Sequence, residues 1–123
     1  MNITALIDRY CEAWSDHDSS RREKLLSSVW AAGATYTDPT VHAVGASELL
    51  AHIAAVQARR PGSKVVRTSE VDEHHHVVRF TWCVIDASGK HLLEGIDLAF
   101  LSADRSRIER IIGFFGLITP RSR

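Results

Sequence analysis

The apolar residues of this chain change their spacing near Pro61-Gly62, and that change constrains the fold more than any other feature of the sequence. Before it they recur every three or four residues, the spacing of an amphipathic helix. After it they alternate, as in strands with one buried face. Helical segments followed by closely connected strands give an α+β domain, in which helices cover one face of a sheet.

Ile3, Leu6, Ile7, Tyr10 and Trp14 form the apolar stripe of a first helix. Ser20-Arg21-Arg22-Glu23 has the form of a capping box and predicts the start of a second helix. Leu25, Leu26, Val29 and Trp30 would be its buried stripe and Gly33 its end. A short strand follows over 34–38. The spacing of Leu49, Ile53 and Val56 predicts a third helix over about 46–60, closed by Pro61-Gly62. Residues 64–72, 76–86, 91–102 and 107–116 read as four strands. Turns are expected at His74-His75, Ser88-Gly89 and 103–106. Such short connections join antiparallel neighbours. The expected architecture is therefore three N-terminal helices packed on a curved antiparallel sheet, with a pocket at the wider end of the curve. Its 123 residues suit a single domain, 1–123.

Fifteen basic and fifteen acidic residues cancel, so no global field draws nucleic acid or an anionic membrane. No apolar run approaches the ~20 residues of a membrane span. Arg59-Arg60 and the Arg121–Arg123 tail read as small solvated basic clusters. The two cysteines, Cys11 and Cys83, fit no zinc or redox spacing and read as reduced, packed thiols. Asp8, Arg9, Glu12 and Asp16 interrupt the first apolar pattern, unlike a secretory leader. Both points lead to the expectation of a cytoplasmic protein. No phosphate-binding or nucleophile-elbow motif occurs, and no cofactor or metal is expected. In His74-His75-His76 at most two rings converge, because strand side chains alternate, so an exposed hairpin tip is expected.

Two carboxyl groups stand out. In "ATYTDP" (34–39) Ala34, Tyr36 and Asp38 share one strand face, and Pro39 keeps Asp38 out of the helical region. In "LLEGIDLAF" (92–100) Asp97 lies on a face with Gly95 and Ala99, whose small side chains are expected to leave volume in front of it. A carboxyl group buried without a cation tends to keep its proton and then donates a hydrogen bond. Tyr10 and Trp14 lie on the apolar side of the first helix, and a buried tyrosine hydroxyl needs a partner. His42 and His52 are candidates for the pocket rim, with near-neutral pKa values suited to moving protons. Arg79, opposite in parity to Val78 and Phe80, reads as solvent-facing or as an interface residue.

With "RYCEAW", "ATYTDP", "GIDLAF" and "IGFFG" in this order, the chain resembles the NTF2-like superfamily, in particular SnoaL-like proteins and ketosteroid isomerase. The resemblance implies a cone-shaped fold and a homodimer through the sheet. It also implies a small hydrophobic ligand or substrate, while the balanced charge leads to the expectation of no nucleic acid or membrane partner. By that resemblance Asp38 is a general base, and Tyr10 and a protonated Asp97 donate to a developing enolate oxygen. Tyr36, Trp14, Gly95, Ala99, His42 and His52 would line the pocket. The implied chemistry is isomerisation or cyclisation of an enolisable carbonyl compound. A binding protein without turnover and a protein-association module of the same fold remain open alternatives.

Overall fold

A computed structural model describes residues 1–122. Three helices, α1 (Ile3–Ser15), α2 (Ser19–Ser27) and α3 (Gly45–Arg59), pack on one curved sheet. Its strands are β1 (Trp30–Asp38), β2 (Val41–Val44), β3 (Lys64–Arg67), β4 (Asp72–His74), β5 (Val77–Ile85), β6 (His91–Leu101) and β7 (Ile108–Phe115). The order across the sheet is β2-β1-β7-β6-β5-β3, and β4 also pairs with β5. The α+β class and the helix-on-sheet packing match the sequence reading. The sheet is mixed rather than wholly antiparallel, because β1 and β7 run parallel. Everything from β2 to β6, α3 included, lies between them in the chain, a connection long enough to return a strand in the same direction.

Other boundaries differ for local reasons. The cap of α2 is Asp18, whose carboxylate accepts from the Arg21 backbone N–H at 2.9 Å, two residues before the expected Ser20. The helix stops at Ser27 instead of Gly33. There the hydroxyls of Ser27 and Ser28 donate to the carbonyls of Lys24 and Leu25, competing with helix propagation. Val29 and Trp30 are buried as expected, but by sheet pairing: the Ile108 N–H donates to the Val29 carbonyl at 2.7 Å. Gly33, at φ +72°, lies in the irregular stretch where the β1–β7 register shifts. Pro39-Thr40 is the turn from β1 into β2, a strand the sequence reading omits. The expected strand 64–72 is divided between β3 and β4, both paired with β5. The turn after β4 is made by His75 and His76, both at positive φ, one residue later than expected.

Leu6, Ile7 and Tyr10 of α1 and Leu49 and Ile53 of α3 are buried against the concave face of the sheet. Full burial of each such side chain contributes roughly 1.5–3 kcal/mol. The helices are also tied by polar contacts. Gln57 donates to the Trp14 carbonyl, and the Arg22 guanidinium donates to Gln57 and to the Asp16 carbonyl. Ser15 accepts from the Val65 N–H at 2.9 Å, fixing α1 to β3. No helix among the described residues is long and apolar enough to cross a membrane.

Cross-strand register sets the concave face in rows. Tyr36, Ile111, Ala99 and Val78 form one row. The next holds Asp97 between Gly113 and Phe80, and Asp38 follows Thr37, which is opposite Ile112, on the far side of Gly113. Beyond it Gly95 stands between Phe115 and Trp82.

Gly95 lies under the Trp82 indole and against the Phe114 carbonyl, and a Cβ there would overlap both. Gly95→Ala is expected to destabilise the fold by ~1–3 kcal/mol through overpacking, read from the urea midpoint. An unchanged midpoint would contradict this packing.

Candidate functional site

The concave face and the inner sides of α1 and α3 enclose a cavity of about 170 Å³. Tyr10, Trp14, Tyr36, Asp38, His52 and Asp97 all line it. Three separate elements, α1, β1 and β6, bring Tyr10, Asp38 and Asp97 to one space.

Asp97 is 5 % exposed. Its Oδ1 accepts from the Trp82 indole Nε1 at 2.9 Å. Burial pushes its pKa up to about 7; the Trp82 donor opposes the rise and Asp38 adds to it. Near neutral pH the group is therefore divided between acid and carboxylate. Because Trp82 donates to Oδ1, the proton of the acid form belongs on Oδ2, which then becomes a donor. Gly113 makes room for this group: a Cβ there would come within 2.8 Å of Asp97 Oδ1 and 3.6 Å of Asp38 Cβ.

Asp38 closes β1, and its side chain is only 4 % exposed. Oδ1 accepts from both the N–H and the hydroxyl of Thr40, each at 2.7 Å. Oδ2 accepts from the Tyr36 hydroxyl at 2.6 Å, and His52 Nε2 lies 3.8 Å away. A carboxylate has about four acceptor positions, so one on Oδ2 stays free of these bonds. Burial holds the Tyr36 hydroxyl protonated, helped by the nearby Asp97 and by its bond to Asp38. His52 is shifted down, first by desolvation; Asp38 opposes the shift and Arg59 reinforces it. The ring is thereby kept neutral at pH 7. Trp14 packs edge-on against His52 with centroids 5.7 Å apart and contacts Tyr36 at 5.4 Å.

The Tyr10 hydroxyl is enclosed but has no hydrogen-bond partner among the described residues. Trp14 lies nearby, outside hydrogen-bond geometry. Burial, and next the charge of Asp97, raise the Tyr10 pKa, so the phenol keeps its proton. An orphaned buried donor is uncommon in native proteins, and this one belongs to a residue that lines the cavity.

Three residues expected in the lining lie elsewhere. Gly95 does leave volume beside Asp97, but the Trp82 indole fills it. Ala99 is fully buried in the core row next to Ile111. His42 is exposed on β2, where its Nδ1 bonds the Thr37 hydroxyl at 2.7 Å; strand alternation turns it away from Asp38. Arg79 is solvent-facing and paired with Asp72 at 2.8 Å. Trp82 and Gly113 were missed as parts of the site. Trp82 was legible only as an apolar-face residue, and Gly113 only as part of "IGFFG", because their relation to Asp97 depends on cross-strand register.

No family model matches the chain, and no curated protein matches it in sequence. Solved structures do. A SnoaL-like candidate isomerase from Agrobacterium tumefaciens superposes with a TM-score of 0.85 at 29% identity, over 92% of this chain and 96% of that one. A SnoaL-like candidate polyketide cyclase from Jannaschia sp. CCS1 gives 0.72 at 14% identity, over 91% and 83%. A Catenulispora acidiphila protein with a ketosteroid isomerase-like fold, solved with trimethylamine, gives 0.71 at 14%, over 91% and 85%. The chain is thus NTF2-like in fold and similar to SnoaL-like and ketosteroid isomerase-like proteins over nearly its whole length.

Asp97 gives the stability a defined pH dependence. In the unfolded chain it ionises near 3.9, and in the folded chain at about 7. Between those values the folded state holds a proton that the unfolded state lacks, so stability falls as pH rises. The full loss, on the order of 4 kcal/mol, is reached above pH 7. Asp97→Asn should flatten this part of the profile. Trp82→Phe should move the Asp97 titration upward by removing the opposing donor. Urea unfolding of the three proteins between pH 4 and 8.5 checks this; parallel wild-type and Asp97→Asn profiles would rule out a buried acid.

Proposed function

We propose that the cavity performs acid–base chemistry on a small enolisable carbonyl compound, by isomerisation or cyclisation. The observation that carries this reading is that Tyr10, whose hydroxyl has no partner, lines one cavity with the hydrogen-bonded Asp38 and with Asp97, whose burial raises its pKa to about 7. In this reading the substrate carbonyl oxygen accepts from the Tyr10 hydroxyl and from the protonated Oδ2 of Asp97. The free position on Asp38 Oδ2 takes a proton from the adjacent carbon. The electron pair moves onto the carbonyl oxygen, where the two donors stabilise the enolate. Asp38 then returns the proton to another carbon, or the enolate carbon attacks a second carbonyl, whose oxygen takes up the π pair and then the proton held by Asp38. The use of a carboxylic acid kept neutral as a donor follows the ketosteroid isomerase pattern.

A binding role without turnover is the second reading. It is favoured by one observation: Tyr36 and Thr40 already occupy three acceptor positions of Asp38, which weakens it as a base.

Phenols of graded acidity test the oxyanion site, and exchange of α-hydrogens of simple ketones in deuterated water tests the base. Binding, followed by tryptophan fluorescence, is expected to tighten with phenol acidity and to weaken at least ~10-fold in Tyr10→Phe and Asp97→Ala. Asp38→Asn is expected to retain phenol binding and to lose exchange by ~100-fold or more. Exchange that is absent while phenols bind would select the binding role. Phenol affinity independent of acidity and of both substitutions would dismiss the acid–base reading.

A homodimer through the sheet is also proposed. The convex face pairs Ile96 with Phe114 and Leu98 with Ile112 across β6 and β7, and Phe114 is 56% exposed. A second copy of that face is a suitable cover for such an apolar patch. Sedimentation at micromolar concentration should give a dimer that Phe114→Glu dissociates; a monomer throughout would end the proposal.

A further inference from the structure

The outer end of the cavity differs from its inner end. Arg59 and Arg60, at the C-terminal end of α3, line it together with Ser63. Among the described residues neither arginine pairs with a carboxylate, and of the arginines that make no ion pair these two line the cavity. The chain is neutral overall, so two unpaired guanidinium groups at one lip are not the overflow of a basic surface. The end of a helix tolerates cations, which accounts for their presence but not for their shared place at the cavity. Ser63 adds an independent observation. It is 3 % exposed, and its hydroxyl makes no hydrogen bond among the described residues. The hydroxyl of this nearly buried residue, beside two guanidinium groups without carboxylate partners, completes a set of donors open to an anion.

The apolar part of the cavity wall is built by Val56, Val65, Val84, Leu93 and Phe115. The ligand dimensions follow. A cavity of about 170 Å³ is below the ~300 Å³ low end for drug-sized ligands. We propose that Arg59, Arg60 and Ser63 hold an anionic group, so that the ligand is a small carbonyl compound with a carboxylate or phosphate at the end remote from its carbonyl. This rests on the acid–base reading for the inner end, and it sets the orientation: the anion at the lip, the carbonyl oxygen between Tyr10 and Asp97. Guanidinium groups suit either anion, because both present paired oxygens to the planar donor fork.

Three phenols that differ only in their tail test this: 4-hydroxyphenylacetate, 4-hydroxybenzylphosphonate and the neutral 4-hydroxyphenylacetamide. At low salt the better anion is expected to bind about five- to tenfold more tightly than the amide, since charged hydrogen bonds at a partly exposed lip are attenuated by solvent. Half-molar salt should shrink that preference. Arg59→Gln combined with Arg60→Gln should abolish it, and Ser63→Ala should reduce it. Both arginines are exposed, so the double substitution is compatible with folding, and continued binding of the amide verifies it. Whichever of carboxylate and phosphonate gains more names the anion. Equal binding of acid and amide, with dependence on Tyr10 retained, overturns the anion site and leaves the acid–base reading standing. An arginine-dependent preference for anions that ignores Tyr10→Phe and Asp97→Ala keeps the anion site and removes the acid–base reading. Failure of all three probes to bind overturns both.

Discussion

Gly113 separates Asp38 from Asp97 across three neighbouring strands, and the lack of a side chain there decides what the cavity contains. Any Cβ at that position would press on Asp97 Oδ1. The carboxyl group would have to shift, which disturbs its bond to Trp82. The rest of the site is arranged around keeping that buried group tolerable. Trp82 supplies one donor, Gly95 makes room for the Trp82 ring, and the raised pKa lets Asp97 hold its proton up to about pH 7. An ionised Asp97 in the same place would lack any cation, an arrangement that folded proteins avoid.

Much of this could be read along single elements and little of it across them. Strand alternation placed Asp97 on the buried face with Gly95, Ala99 and Leu101, and helix spacing placed Tyr10 and Trp14 inward. Such patterns are local, with one element carrying the whole signal. The volume beside Gly95 was legible, but its occupant was not, because Trp82 lies 13 residues away in sequence and meets Gly95 only through the β5–β6 register. The same holds for Gly113 and for the parallel β1–β7 pairing that makes the sheet mixed. The misplaced end of α2 has a different origin. Val29 and Trp30 fit a helical stripe and are buried, but tertiary pairing with β7 recruited them into the sheet. Burial was legible in the sequence; the element that delivers it was not.

The likeness to solved structures sharpens the division between frame and site. At 14% identity the Jannaschia and Catenulispora proteins share the helices and the curved sheet, which many sequences can build from pattern and volume alone. Chemistry depends on a few side chains aimed into the opening of that frame, and a shared fold does not transmit them. In this chain that opening holds a particular set of groups. A free phenol and a titrating carboxyl group lie at the inner end, and two unpaired guanidinium groups lie at the lip.

Those two ends are electrically connected through His52. Its neutral state arises chiefly from desolvation, but the Arg59 charge contributes in the same direction while Asp38 acts against it. An imidazolium 3.8 Å from Asp38 Oδ2 would compete for the acceptor position that proton abstraction needs. The lip cation thus helps to keep that position open while the cavity is empty. An anion seated on Arg59 would offset its field at His52, and the balance would move toward protonation of the ring. A ring that is still neutral but more basic would then accept the proton that Asp38 takes from carbon, and it would gain that basicity only when a ligand is present.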